Sequence, residues 1–332
     1  MKRKETKNGV IVGVGSALVD ILAQKSDEFL KKHGIVKGGM TLVEHQHIQD
    51  VMPHLAGGHE IVCGGSACNT VIGVARLGGA SRFVGKCGED EFGQLFSDQL
   101  RRHAVDPALF TSGSPTGRVL SIITPDAQRS MLTYLGASAE TLPEEIHPGC
   151  FENASIVHVE GYLVFNRDLL TSTLKAAKDA GAKISLDLAS FTVVEQHKNF
   201  LDDLVSEFVD ILIANEDEAY SFTGHKNERM AIEALGKKAE VAALKLGKRG
   251  SLISWHGEVT SVLPMIEGEA VDTTGAGDLW AAGFLYALAR DFPMETCGKL
   301  ASACGWEACR VVGATIPDHG WDRILKLLEE LI

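Results

Sequence analysis

The stretch Asp272-Thr273-Thr274-Gly275-Ala276-Gly277-Asp278 is the most informative segment of this chain. It directly precedes the apolar run 279–288 (LWAAGFLYAL), whose spacing predicts a buried helix. A glycine-rich turn that opens a helix presents free backbone N–H groups and the positive end of the helix dipole, so it binds anions. A carboxylate beside such a turn is useful in phosphoryl transfer, where it takes a proton from a hydroxyl. A capped helix start, with Asp272 or a threonine satisfying the first N–H groups, would look the same.

The composition is that of an ordinary globular protein. The chain has 332 residues, of which 45% are hydrophobic and 23% charged, so we expect one domain over 1–332 with a small accessory element. The net charge of −12 argues against the backbone of a nucleic acid, or an anionic membrane, as the main partner. It does not argue against nucleotides, because a few basic groups or a metal ion can neutralise a triphosphate.

Cysteine spacing and hydropathy give expectations about the cellular compartment. No pair among the seven cysteines has C-x-x-C spacing, so neither a disulfide framework nor a zinc site is indicated. Residues 1–7 are basic but lead into a strand-like segment, which does not fit a signal peptide. No run of about 18 apolar residues occurs that could span a membrane. We therefore expect a reducing, cytoplasmic location and no membrane partner.

Strand-like and helical segments alternate through most of the chain. Residues 10–15 predict a buried first strand, and later apolar runs predict four more, at 156–159, 183–187, 211–214 and 242–246. Helical segments such as 169–180 and 200–208 separate them, which predicts an α/β fold with a doubly wound, mostly parallel sheet flanked by helices. Short β-prone pieces at about 20–45, and a hairpin within 116–137 that turns at Pro125-Asp126-Ala127-Gln128, predict a small β-sheet lid.

Three further motifs accompany the first one. Gly64-Gly65-Ser66-Ala67-Cys68-Asn69-Thr70 opens a helix and offers Asn69 as donor and acceptor for hydroxyl groups, although a tight turn with a helix cap has the same pattern. Asn215-Glu216-Asp217-Glu218 follows a strand and could reach Mg²⁺ through water, or could be a solvated helix start. Gly247-Lys248-Arg249-Gly250 leaves a strand where the phosphates of a nucleotide could lie, as at any β-turn.

The order and spacing of these four motifs, from about residue 10 to 313, resembles the ribokinase-like (PfkB) family of carbohydrate and nucleoside kinases. The resemblance implies that Asp278 is the catalytic base and that Gly275, Ala276 and Gly277 form the anion hole. It also implies an ATP site with Mg²⁺, bound through water at Glu218. The other implied ATP-binding residues are Asn215, Gly247, Gly250, Thr273 and Thr274.

The segments 37–43 and 129–137 resemble the adenosine-kinase-like branch of the family. The resemblance implies that Asp20, at the end of the first strand, binds the hydroxyl groups of the acceptor, and that Gly38-Gly39 is the hinge of the lid. The remaining implied substrate-binding residues are Gly64, Gly65, Asn69, Arg129 and Tyr134. Tyr134, Tyr162, Phe165 and Phe191 could stack on a base, but the simpler interpretation of each is a core residue.

The resemblance leaves several properties open. Adenosine is the first candidate acceptor, another nucleoside the second, and a free sugar such as ribose, fructose or 2-keto-3-deoxygluconate the alternative. A non-catalytic sensor of the same ligands is disfavoured because Asp278 and the glycine turn are intact. Activation by K⁺ at Asp272 and a monomeric or homodimeric state are both compatible with the sequence. The unusual Trp306-Glu307 pair leaves the residues around the adenine of ATP undefined.

Other nucleotide-binding folds fit less well. Gly13-Val14-Gly15-Ser16-Ala17-Leu18 follows a strand as a dinucleotide fingerprint does, but Leu18 replaces its third glycine. No Gly-Lys pair is followed by serine or threonine, so a Walker A motif is absent from the sequence.

Overall fold

A computed structural model describes residues 9–55, 58–126, 128–265 and 268–332. The basic segment 1–7 and Ala127 of the predicted hairpin turn lie outside the described residues. The strands are β1 (Val10–Val14), β2 (Leu18–Gln24), β3 (Met40–Leu42), β4 (His59–Gly64), β5 (Ser81–Gly88), β6 (Val105–Ser112), β7 (Gly117–Ile123), β8 (Arg129–Tyr134), β9 (Ala154–Glu160), β10 (Lys183–Asp187), β11 (Ile211–Asn215), β12 (Val241–Lys245), β13 (Ser251–Trp255) and β14 (Glu258–Val262). The helices are α1 (Asp27–Lys32), α2 (His45–Val51), α3 (Ser66–Arg76), α4 (Glu91–Arg102), α5 (Arg167–Asp179), α6 (Phe191–Phe208), α7 (Glu216–Thr223), α8 (Glu228–Leu235), α9 (Ala276–Leu288), α10 (Met294–Cys309) and α11 (Asp318–Leu331).

The larger sheet has nine strands in the order β14-β13-β12-β11-β10-β9-β1-β5-β6. The strands from β12 to β6 pair in parallel, and β13 and β14 add an antiparallel edge. Side chains alternate between its faces, so that Val12 and Val14 join the core under α5 and α6, whereas Ile11 joins the core under α9 and α10. The predicted doubly wound α/β fold is thereby confirmed, and helices cover both faces.

The smaller sheet has five strands in the order β3-β8-β7-β2-β4. The predicted hairpin is present, because β7 and β8 pair antiparallel from Arg118–Tyr134 to Ile123–Arg129. One face carries Ile21, Leu120 and Leu132, which pack with residues of α1 and α2. β4 belongs to this sheet although it lies outside the predicted insertions. Asp20 lies within β2 of this sheet and not at the end of the first strand, where it was predicted.

The carboxyl ends of the central parallel strands carry polar side chains. Glu160, Asp187, Asn215 and Lys245 are the last residues of β9, β10, β11 and β12, four neighbours in the larger sheet. In open α/β sheets, ligands bind beyond this edge. The first turn of α9, which contains Asp278, faces the same edge, because a Cβ built on Gly277 would lie 3.2 Å from Lys245 Nζ. Within the described ranges, no helix is long and apolar enough to cross a bilayer.

Candidate active site

Asp278 lies in the first turn of α9, and two side chains from α3 fix its carboxylate. Ser66 Oγ donates a hydrogen bond to Oδ1 at 2.7 Å, and Asn69 Nδ2 donates one to Oδ2 at 2.9 Å. Burial raises the pKa of Asp278, although these two hydrogen bonds oppose the shift. The group is therefore a better proton acceptor than an exposed aspartate, and its orientation is set before a substrate arrives.

The glycine turn before Asp278 is closely packed. Gly275 has a φ of +70°, and a Cβ built on it would lie 2.4 Å from Ala314 Cβ, so this position requires glycine. The N–H of Ala276 donates to the carbonyl of Thr273 at 3.2 Å, which closes the turn into the helix. The turn thus presents the N-terminus of α9, where backbone N–H groups and the helix dipole favour an anion.

Asp272 holds the segment that precedes this turn. Its Oδ1 accepts hydrogen bonds from the N–H and the hydroxyl of Thr274, at 3.0 and 2.9 Å. Its Oδ2 accepts one from the N–H of Gly313 at 2.9 Å. The carboxylate therefore ties two loops together, and the prediction that a monovalent cation such as K⁺ binds here stays a prediction.

Asp20 lies close to the two glycines that begin the motif 64–70. A Cβ on Gly64 would lie 2.4 Å from Asp20 Oδ1, and one on Gly65 would lie 2.5 Å from the carbonyl oxygen of Ser16. A side chain at Gly64 would therefore displace the Asp20 carboxylate, whereas Gly65 requires glycine because its neighbour is backbone and its φ is +94°. Burial raises the pKa of Asp20 to about 6, which the Arg129 guanidinium opposes and the Asp278 carboxylate reinforces.

Arg129 connects the smaller sheet to the glycine turn. It donates hydrogen bonds to the Thr274 hydroxyl and, through Nε and Nη2, to Ser121 Oγ on the neighbouring strand β7. The predicted hinge pair lies before β3, where the Gly38 N–H donates to Ser130 Oγ at 2.9 Å and the Gly39 carbonyl accepts from the Met131 N–H at 2.8 Å. Both glycines are therefore hydrogen-bonded to β8, the strand that begins with Arg129.

Asn215 and Glu218 form a capping box at the start of α7. Asn215 Oδ1 accepts from the Glu218 N–H at 3.0 Å, and Glu218 accepts from the N–H and the side-chain amide of Asn215, both at 2.7 Å. Glu218 is 3% exposed, so it is not the solvated helix start that the sequence also allowed. Burial raises its pKa. Gly247 and Gly250 form the turn between β12 and β13, both with positive φ.

Four residues of this site were not singled out in the sequence analysis. Ser66 holds Asp278, and Glu160, Asp187 and Lys245 end three of the central strands. Glu160 Oε1 accepts from the Ser16 N–H at 2.9 Å, and Asp187 Oδ2 accepts from Lys245 Nζ at 2.8 Å. The available signal was a charged residue at the end of a predicted parallel strand, since such ends meet at the ligand-binding edge.

Some predicted residues are not brought together. Tyr134 contacts His45, with ring centroids 5.1 Å apart, and pairs with Arg118 across the hairpin. Because side chains alternate along β8, Tyr134 faces the opposite side of the sheet from Arg129 and does not lie beside Asp20 or Asp278. The interpretation of three other aromatic residues as core was wrong: the exposed fractions of Tyr162, Phe165 and Phe191 are 39, 59 and 46%.

The charge balance of the site favours the binding of an additional cation. No group of three or more His, Cys, Asp or Glu in the described residues has the arrangement of a metal site. Asp187, Glu218 and Asp278 nevertheless surround one ammonium, that of Lys245, and each contributes to keeping it charged. This excess of carboxylate oxygen fits Mg²⁺, which keeps several waters and binds through one or two carboxylates and the phosphates of a substrate.

Comparisons with known proteins agree with this geometry. The model of the family described as pfkB family carbohydrate kinase matches residues 32–319. The chain is similar to a ribokinase of Arabidopsis thaliana (28% identity over 81% of this chain and 73% of that protein) and to probable fructokinase-6, chloroplastic, of the same plant (30% over 76% and 70%). The structure of adenosine kinase from Sinorhizobium meliloti superposes with a TM-score of 0.86 at 29% identity, covering 98% of this chain and 100% of that one. A probable sugar kinase protein from Rhizobium etli CFN 42 gives 0.88 at 30%, covering 98 and 99%.

Proposed function

The chain belongs to the pfkB family of carbohydrate kinases, and we propose that it transfers the γ-phosphoryl group of ATP to a primary hydroxyl of a nucleoside, with adenosine as the first candidate. The observation that carries the chemistry is the Asp278 carboxylate, held by Ser66 and Asn69 at the N-terminus of a helix. A base and an anion-binding turn only a few residues apart suit phosphoryl transfer, in which positioning and charge stabilisation supply most of the catalysis.

In the proposed reaction, the acceptor is held between Asp20 and Asn69 so that its hydroxyl points at Asp278. Asp278 takes the hydroxyl proton while the acceptor oxygen attacks the γ-phosphorus. The N–H groups of the turn 275–277 face the oxygens of the transferred group, where negative charge must be stabilised. Mg²⁺ bound near Glu218 would neutralise part of the charge of the phosphates. The smaller sheet, as a lid, would exclude water that otherwise hydrolyses ATP.

Support for a nucleoside as acceptor comes from the full-length similarity to an adenosine kinase of known structure. A sugar is the second candidate, because relatives named as ribokinase and fructokinase match with comparable identity. The exposed rings of Tyr162, Phe165 and Phe191 favour the nucleoside, since aromatic faces outside the core are available to stack on a base.

The test is release of ADP from Mg·ATP with adenosine, inosine, ribose, fructose and 2-keto-3-deoxygluconate, each with and without K⁺. Turnover on adenosine is the expected result. Turnover on a sugar alone would replace the acceptor and leave the proposed roles of Asp278 and the turn standing. A rate that depends on K⁺ would support a monovalent cation beside Asp272. A catalytic variant, Asp278→Asn, is the control for a contaminating kinase.

A further inference from the structure

Lys245 is a largely buried cation at the edge of the sheet where the nucleotide is proposed to bind. It is the last residue of β12, its side chain is 14% exposed, and its Nζ forms an ion pair with Asp187 Oδ2 at 2.8 Å. Lysine is almost never buried unless it is paired. An ammonium has three N–H donors, and within the described ranges one of them is matched, by Asp187. Two donors are therefore left for a ligand.

The ammonium lies against the anion-binding turn. A Cβ built on Gly277 would lie 3.2 Å from Lys245 Nζ. Gly277 is inside α9 and is not among the described glycines with positive φ, so its backbone does not demand glycine. Glycine in a helix is destabilising relative to alanine, by roughly 0.5–1 kcal/mol. The neighbour that a side chain at 277 would crowd is this ammonium, which gives a physical reason for glycine there.

The charges around Lys245 keep it protonated. Burial alone would lower the pKa of its ammonium, but the carboxylates of Asp187, Glu218 and Asp278 outweigh burial and raise it. Three carboxylates and one ammonium carry a net charge of −2 when all are ionised. A phosphoryl group placed on the turn 275–277 would meet this negative charge, and the ammonium beside Gly277 is a cation placed to offset it.

We propose that Lys245 is a catalytic residue whose ammonium completes the anion-binding turn and contacts the γ-phosphoryl group of ATP during its transfer. This inference rests on the proposed function, because it takes the turn 275–277 as the site of the transferred group. The acceptor oxygen forms a bond to the γ-phosphorus, and the bond from that phosphorus to the oxygen bridging to the β-phosphate breaks. The bond's electron pair leaves with ADP, and the hydroxyl proton goes to Asp278. Lys245 keeps its proton and supplies charge.

Binding of two nucleotides tests the contact without an acceptor. Calorimetry would compare Mg·ADP with the Mg²⁺ complex of AMPPNP, an ATP analogue that is not hydrolysed and carries a γ-phosphoryl group. In Lys245→Met we expect the affinity for AMPPNP to fall by about 10-fold or more, the usual effect of one charge-assisted hydrogen bond, while the affinity for ADP stays nearly unchanged. Lys245→Arg should retain part of the preference. If the ratio of the AMPPNP affinity to the ADP affinity is the same in Lys245→Met as in the wild type, the proposal is wrong.

A second comparison separates contact from net charge. Lys245→Met leaves Asp187 ionised and unpaired, which would itself repel a phosphate. In the double variant Lys245→Met/Asp187→Asn that repulsion is removed, yet we expect the γ-phosphoryl preference to stay lost. Its recovery would mean that Lys245 acts only by neutralising Asp187, against the proposal.

Gly277→Ala provides a test that keeps the lysine, and its effect in the wild-type background can be measured whether or not Lys245→Met folds. The added methyl would crowd the ammonium, at 3.2 Å from Nζ, so the preference for AMPPNP over ADP should fall in the wild-type background and should not fall further in Lys245→Met. If the two substitutions together reduce the AMPPNP preference by the sum of their separate effects, they do not act through the same contact. With the acceptor that the ADP-release panel identifies, kcat of Lys245→Met should fall by about 10²-fold while KM for the acceptor is unchanged. Because nucleotide binding needs no acceptor, a failed acceptor panel does not affect the calorimetric result.

Discussion

Glu160→Gln is expected to change how the stability of this protein depends on pH. Glu160 is 2% exposed, and its Oε1 and Oε2 accept hydrogen bonds from the N–H groups of Ser16 and Ala67, at 2.9 and 3.2 Å. It therefore ties the end of β9 to the loop after β1 and to the start of α3. Burial raises the pKa of Glu160 from 4.5 to about 7, against these hydrogen bonds.

The sign of the effect follows from the two pKa values. Below pH 4.5 both the folded and the unfolded chain carry the proton, and ionisation of Glu160 costs nothing. Between pH 4.5 and about 7 the unfolded chain releases the proton and the folded chain retains it, so the free energy of unfolding falls as pH rises. With about 1.4 kcal/mol for each pKa unit, the loss between pH 5 and pH 8 is roughly 2–3 kcal/mol, and Glu160→Gln removes it.

Urea unfolding of both proteins at pH 5 and pH 8 measures this difference. The glutamine amide also turns a donor toward one backbone N–H, which costs about 1–3 kcal/mol at either pH. The informative quantity is therefore the change with pH in the stability of Glu160→Gln relative to wild type. It should rise by roughly 2–3 kcal/mol from pH 5 to pH 8, as expected from the shifted pKa. A difference that is the same at both pH values would refute the reasoning.

Glu307→Gln is the matched control. Glu307 is also buried, but ion pairs with Arg323 and Arg310 lower its pKa despite burial. Its contribution to stability is present above pH 4.5 and is lost only as pH falls below that value, through its lowered pKa. The stability lost in Glu307→Gln should therefore be the same at pH 5 and pH 8.

Three further predictions concern activity. Asp278→Asn should lower kcat by about 10²-fold or more with little change in unfolding midpoint, because it removes a general base; steady-state kinetics with near-wild-type turnover would contradict that role. Gly64→Ala should raise KM for the acceptor as Asp20→Ala does, because its Cβ would lie 2.4 Å from Asp20 Oδ1; an acceptor KM unchanged in both variants would place the acceptor elsewhere. Arg129→Met loses the hydrogen bond to Thr274 that joins the smaller sheet to the turn, so the rate of ATP hydrolysis should rise relative to the rate of phosphoryl transfer. ADP release and phosphorylated product are measured in the same reaction, and an unchanged ratio of the two would contradict this role of Arg129.

Local patterns made the body of the fold predictable from the sequence. The run 183–187 becomes β10 with the same bounds, because a short apolar run between helices has few alternatives in an α/β chain. The helix predicted at 200–208 begins earlier, at Phe191, and His197 inside it has a non-helical φ of −124°. β4 was not predicted, because its polar first residues, His59 and Glu60, hide the alternation of a strand whose partner β2 is distant in sequence.

The candidate site was predictable where a motif is continuous and not where the sheet assembles it. Asp278 and its glycine turn occupy one short segment, so they could be predicted together. Lys245 lies in the apolar run 242–246, and the sequence pattern predicts that a lysine there extends its ammonium to solvent. The run therefore gave no indication of a site residue. Tyr134 lies on the predicted strand, but successive side chains of a strand face opposite sides of the sheet. The sequence did not show which of the two faces carries Tyr134.

Two basic side chains flank the proposed anion turn, which explains how a chain of net charge −12 can hold a triphosphate. Arg129 contacts Thr274, just before the turn, and Lys245 lies beside Gly277, its last residue. The first cation belongs to the smaller sheet and the second to the larger one, so only Lys245 would keep its position if the smaller sheet moved as a lid. Arg129 also opposes the raised pKa of Asp20. Closing the lid would therefore add positive charge at the phosphate and favour an ionised Asp20 at the acceptor in the same movement, which links acceptor binding to phosphoryl transfer.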